Sequence, residues 1–151
     1  TLGELWGRGP RDVWAVGYQG TLLHYDGSSW EEVEPMVVGL GSPSLWGTEG
    51  ALFFLGEGQG LFRASSPTSV RRVVSGAPSD EAIGDRMDLW GTSAREVFIA
   101  GADGTVIRYG GRRSHEERTG TIAELRALWG TGGELFAVGG EGTILHRVPS
   151  R

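Results

Sequence analysis

The triplet Leu-Trp-Gly occurs four times, closing at Gly7, Gly47, Gly91 and Gly130, so successive copies stand 40, 44 and 39 residues apart. A period of that length makes the chain a tandem array, whose units must pack on one another because none can bury its apolar face alone. Nine or ten residues beyond each triplet, a short apolar run closes on glycine: residues 13–17, 52–56, 97–101 and 135–139. A third landmark follows in the same phase, Gly20-Thr21-Leu22-Leu23-His24-Tyr25 in the first copy and Gly104-Thr105-Val106-Ile107-Arg108-Tyr109 in the third. Apolar runs this short, punctuated by glycine, read as strands joined by tight turns. The 27 glycines of the 151 residues are therefore turn and close-contact positions, since a hydrophobic content of 38% is too high for a disordered linker.

A fourth strand is visible at Trp30-Glu31-Glu32-Val33 and at Val70-Arg71-Arg72-Val73-Val74. Its third copy, around His115 to Arg118, is poor, and no fourth copy follows before Val148-Pro149-Ser150-Arg151. The unit is thus a four-stranded antiparallel meander, strands A to D, with the last copy lacking its outer strand. The units span about 1–35, 42–75, 86–119 and 123–148. Tyr18-Gln19, Glu57-Gly58, Ala102-Asp103 and Gly140-Glu141 form the B to C turns, while 34–43 and 75–88 join successive units as exposed loops, the second being the place for a binding insertion. Residues 122–128 imitate a short amphipathic helix, but the phase of the repeat makes them part of an A strand.

Four-stranded units of this length are the signature of β-propeller blades. The expected fold is therefore all-β, a propeller of about four blades in one domain or a fragment of one. The stretch from Trp14 through Gly17, Gly20-Thr21-Leu22-Leu23 and Asp26-Gly27-Ser28-Ser29-Trp30 resembles the blades of Asp-box propellers, including the photosystem II assembly-factor family. That resemblance implies that Asp26 braces the C to D turn and does no chemistry. The third unit carries Gly110-Gly111-Arg112 there and the second has no aspartate, so the box occurs once. A weaker similarity, to tectonin-type lectin propellers, transfers no sugar-binding residue.

Charge and composition narrow the function. A net charge of -5, with no lysine and no run of arginines, excludes a nucleic-acid partner, whose phosphates need a basic stripe. No apolar stretch approaches the length of a membrane-spanning helix. The absence of cysteine removes disulfides, thiolate metal sites and cysteine nucleophiles. The lack of both lysine and asparagine points to a GC-rich, bacterial source; the compartment is open, export included.

The candidate residues divide by how often they recur. Trp6, Trp46, Trp90 and Trp129, each with its glycine Gly7, Gly47, Gly91 or Gly130, occur in every unit and are expected to wedge between blades as a structural core. Asp12, Glu96 and Glu134 stand just before strand B, with Ala51 in the second unit; a group repeated this way is expected to cap a turn or accept backbone N–H bonds. His24 and His146 share their position with Arg63 and Arg108, which identifies a cationic face position and no metal ligand. His115 is expected in a solvated polar loop. The residues left for ligand binding are Trp30, Tyr18, Asp103 and Glu141. With no unique catalytic set, no cofactor motif and no metal motif, the expected function is a non-enzymatic module that presents loops to a protein or glycan. A lectin and a purely structural fragment are the alternatives. An array of about three and three-quarter blades is expected to exist as a closed four-bladed ring, as part of a larger propeller, or as one of two arcs that self-associate, the last being favoured.

Overall fold

The computed structural model of the chain describes residues 1–33, 44–55, 60–74 and 88–148. The connecting loops expected over 34–43 and 75–87 and the Glu57-Gly58 turn lie outside the described residues. The chain divides into two compact units, Thr1–Gly76 and Ala77–Arg151. In the first unit, one sheet is formed by β1 (Leu2–Gly9), β2 (Asp12–Gly17), β3 (Leu22–Tyr25) and β4 (Trp30–Glu32). A second is formed by β5 (Leu45–Thr48), β6 (Ala51–Leu55), β7 (Leu61–Ser66) and β8 (Ser69–Val74). The second unit holds a third sheet of β9 (Asp88–Ser93), β10 (Glu96–Ala100), β11 (Thr105–Tyr109) and β12 (Ser114–Arg118). Its fourth sheet has three strands among the described residues, β13 (Leu125–Thr131), β14 (Glu134–Gly139) and β15 (Ile144–Arg147). Every sheet is an antiparallel meander in chain order, and the chain has the expected all-β propeller fold, one sheet per blade. Among the described residues, helix is confined to single 3-10 turns at Tyr18–Gly20 and Gly140–Gly142.

One strand is better formed than its sequence suggests. β12, with the sequence Ser-His-Glu-Glu-Arg, pairs with β11 over five residues, from Thr105 opposite Arg118 to Tyr109 opposite Ser114. An outermost strand needs only backbone pairing on one side, and charge on such an edge is tolerated because it discourages further strands from adding. His115 therefore belongs to a strand and not to a loop, with Nε2 3.8 Å from Glu117.

The two faces of each sheet do different work. The face that carries the Leu-Trp-Gly tryptophan, here the forward face, packs on the opposite, back face of the following sheet in the same unit. In the first unit, Trp14, Val16 and Leu22 meet Leu45, Leu52, Phe54, Phe62 and Ala64, with Trp6 alongside. The second unit brings Phe98, Ala100 and Val106 against Leu125, Leu128, Leu135 and Ala137, with Trp90 alongside. Each large side chain buried this way contributes about 1.5–3 kcal/mol.

Two further parts recur at both junctions. Trp6 lies so close over Gly47 that a Cβ there would come within 2.6 Å of the indole, and Trp90 sits over Gly130 with 2.8 Å to its Nε1. The carboxylate just before the triplet then reaches the next sheet: the Leu45 N–H donates to Glu4 Oε2 and the Leu128 N–H to Asp88 Oδ2, both at 2.7 Å. Charge-assisted bonds of this kind are about twice as strong as neutral ones.

Candidate functional site

Directly opposed residues of antiparallel strands share a face, so the register brings distant parts of each repeat together. Across the first sheet it aligns Trp6, Trp14, His24 and Glu31. The second aligns Trp46, Phe53, Arg63 and Arg71, and the third Trp90, Phe98, Arg108 and His115. In the fourth the row is Trp129, Phe136 and His146. Each forward face thus carries a ladder of tryptophan, aromatic ring and a basic side chain, guanidinium or imidazole. The rings touch, with Trp14 and His24 centroids 4.5 Å apart and Phe136 and His146 stacked at 4.2 Å.

The carboxylates at the start of strand B pair with these basic side chains. His24 Nε2 lies 2.9 Å from Asp12 Oδ1, Arg108 donates to Glu96 Oε1 at 2.6 Å, and His146 Nε2 lies 3.0 Å from Glu134 Oε2. They are side-chain partners across a hairpin, which corrects the expectation that they cap turns or take backbone N–H groups; residues twelve apart meet because strands B and C pair in register. At Asp12 burial opposes ionisation more than any single contact favours it, yet the bonds from His24, Arg8 and the Trp14 indole together hold its pKa below the ordinary value. Glu96 is likewise lowered, first by the Thr92 hydroxyl, against burial and with help from Arg108. A carboxylate kept ionised in this way locks a hairpin and holds no proton to give at neutral pH. No group of three or more potential metal ligands occurs among the described residues.

The four ligand-binding candidates fall in separate places. Trp30 is 47% exposed at the outer edge of the first sheet, its ring 5.3 Å from Tyr25 across the same hairpin. It flanks the Asp26 turn, where Oδ1 accepts the Ser28 N–H at 2.7 Å, the Ser28 hydroxyl at 2.8 Å and the Ser29 N–H at 3.0 Å. Tyr18 is exposed in the B to C turn of the same sheet. Asp103 and Glu141 occupy tight turns with φ of 53° and 55°, each followed by a glycine at positive φ. The bonds Thr105 N–H to Ala102 O and Thr143 N–H to Gly140 O close type I′ turns there. Asp103 also borders a cleft of about 360 Å³ with Glu116 to Ile122.

A feature not read from the sequence is the forward face of the fourth sheet. Trp129, Val138 and Ile144 are 54%, 43% and 74% exposed, whereas their counterparts in the first and third sheets face the next sheet of their unit. At the other end of the array, Leu5, the counterpart of buried Leu45 and Leu128, is 63% exposed on the back face of the first sheet.

No protein-family model matches the chain, and no curated protein matches it in sequence. Solved structures do match in shape. The computationally designed Ika4 protein is 14% identical with a TM-score of 0.76, over 97% of this chain and 90% of that one. YCF48, solved bound to a D1 peptide, is 17% identical with a TM-score of 0.71, over 100% of this chain and 51% of that one. A virginiamycin B lyase from Staphylococcus aureus, a catalytically inactive variant solved with quinupristin, is 15% identical with a TM-score of 0.66, over 96% and 54%. The chain spans about half the length of the last two. At these identities the likeness is one of fold, which carries both a peptide-bound protein and an enzyme.

Proposed function

We propose that the chain is a non-enzymatic propeller module that works by recognising protein surfaces, and that one such surface is a second copy of itself. The observation that carries this reading is the exposed pair of complementary faces at the two ends of the array. Within each unit a forward face of tryptophan and aliphatic side chains is covered by a back face bearing the Leu-Trp-Gly leucine. Trp129, Val138 and Ile144 are such a forward face, and Leu5 with Leu2 such a back face. Fourth sheet on first sheet between two copies would continue the stack of blades with the same contacts. Ala127 stands where Glu4 and Asp88 supply a carboxylate, so this junction would rest on apolar burial alone. That YCF48 was solved holding a D1 peptide supports polypeptide recognition by a fold of this shape. Unique reacting groups are not needed for it, and the pairs of a carboxylate with a histidine or arginine recur once per blade in three of four sheets.

Light scattering on a sizing column at two protein concentrations tests the reading. The expected mass rises with concentration toward twice 16.1 kDa, and Trp129→Ser or Leu5→Ser holds it at the lower value. A native mass fixed at 16.1 kDa overturns self-association.

A further inference from the structure

The second sheet is the one of the four without a carboxylate at the start of strand B. In the third sheet, Glu96 is held by two donors: the Thr92 hydroxyl at 2.6 Å from Oε2 and the Arg108 guanidinium at 2.6 Å from Oε1. Thr48 follows Leu-Trp-Gly just as Thr92 does, and Arg63 occupies the strand C position of Arg108. Both donors are therefore present in the second sheet. The carboxylate is not, because its position is taken by Ala51, which is fully buried and ends at Cβ.

Among the described residues Arg63 has no ion pair, and its Nε is buried with no hydrogen-bond acceptor. Arg108 Nε is buried in the same way, but its guanidinium charge is met by Glu96, so the missing counter-charge is what sets Arg63 apart. Directly across the ladder stands Arg71, also without an ion pair among the described residues, and like charges opposed on neighbouring strands repel. Thr48 Oγ1 accepts the Gly50 N–H at 3.3 Å, which leaves its own hydrogen free to donate. A partly desolvated guanidinium and a free hydroxyl, at the two positions that hold Glu96 in the third sheet, are donors that suit one planar anion, and Arg71 adds positive charge beside them.

We infer that Arg63 and Thr48 bind a carboxylate supplied from outside the chain, in the place that Glu96 fills in the third sheet, with Arg71 adding positive charge beside Arg63. Its source is either a small free organic acid or an acidic side chain of a partner polypeptide. The site lies within the second sheet and is independent of the self-association proposed above.

The test is a titration of the native chain with sodium acetate, following the Nε–Hε resonance of Arg63 by NMR, against sodium chloride at equal ionic strength. Arg63→Gln assigns the resonance. Acetate is expected to shift it saturably and chloride not at all, and Ala51→Glu, which restores the internal partner, is expected to displace the resonance beforehand and abolish the response. A short amidated peptide with one glutamate, compared with its glutamine twin, separates the sources. Binding about tenfold tighter than acetate assigns the site to a partner's side chain, and equal or weaker binding to a free acid. The inference is overturned if acetate produces no more than chloride does, or if the response persists in Ala51→Glu; should that variant not fold, a response unchanged in Thr48→Val and Arg71→Gln together overturns it instead.

Discussion

The junction between the first and second sheets and that between the third and fourth are made from the same frame and filled differently. Both have a tryptophan over a glycine and a carboxylate on a leucine N–H. The first is then packed with Trp14 and with Phe54 stacked on Phe62 at 5.6 Å. The second has Phe98 as the one aromatic among its buried residues, with Ala100 and Ala137 beside it, and is bordered by a cleft of about 260 Å³ lined by Val106, Leu135, Ala137 and Leu145. Arg147 crosses that cleft, its guanidinium 5.1 Å from the Phe98 ring and 3.1 Å from Glu117. The repeat therefore fixes the frame, while the filling varies; where apolar volume falls short, a long cationic stem covers the gap and keeps its charge at the surface.

The largest test of this comparison is core truncation. Trp14→Ala is expected to cost about 3–5 kcal/mol in urea unfolding and Phe98→Ala to fall at the low end of that range, because the looser junction can close on the space. Equal losses would break the contrast in filling. Next in size come the glycines of the frame. Gly130→Ala is expected to cost about 1–3 kcal/mol and more than Gly47→Ala, since the new Cβ would stand 2.5 Å from the Glu134 backbone oxygen, whereas at Gly47 it meets only the Trp6 ring. The same unfolding assay ranks them, and the reverse order would mean that the tryptophans are the less yielding part.

A smaller effect separates the C to D turns of the first and third sheets. Asp26 is lowered from 3.8 to about 2, first by the Ser29 N–H and then by the Ser28 hydroxyl and N–H. A carboxyl whose folded pKa is depressed stabilises fully above its ordinary pKa and loses that contribution as pH falls through the folded value. The stability difference between the native chain and Asp26→Ala should therefore be constant above about pH 5 and shrink between pH 4 and pH 2. In the third sheet the turn is held by the Tyr109 hydroxyl, which donates to Gly111 O at 2.7 Å. Tyr109→Phe should cost about 1 kcal/mol at every pH in that window. The smallest expected change is a gain: Glu141→Gly relieves a left-handed residue and should raise stability by somewhat less than about 1 kcal/mol, read as a higher thermal midpoint.

The fold was legible because its evidence is periodic: four triplets in one phase locate strands that are individually too short to identify. β12 was the weak point, since an outer strand held by backbone bonds needs no apolar pattern, and Ser-His-Glu-Glu-Arg carries none. Both halves of the ladder pairs were visible as recurrent positions, Asp12, Glu96 and Glu134 on one side and His24, Arg108 and His146 on the other. Their pairing was not, because it depends on the register of strands B and C, which a glycine turn sets to within one residue and sequence inspection does not. Once that register is known, Ala51 in the place of the carboxylate that would meet Arg63 becomes a departure that could have been sought from the start. The exposure of Trp129 is beyond any reading of the repeat, in which all four tryptophans look alike.

The carboxylate ahead of the triplet is Glu4 in the first sheet and Asp88 in the third, but the second and fourth have Ser44 and Ala127 in its place. The array thus alternates, and its true repeat is a pair of sheets. Inserting or deleting one sheet would set two acidic boundaries, or two lacking the acid, side by side. Duplication in twos leaves every boundary with its original neighbour, which makes the pair the natural step by which a gene of this kind grows or shrinks.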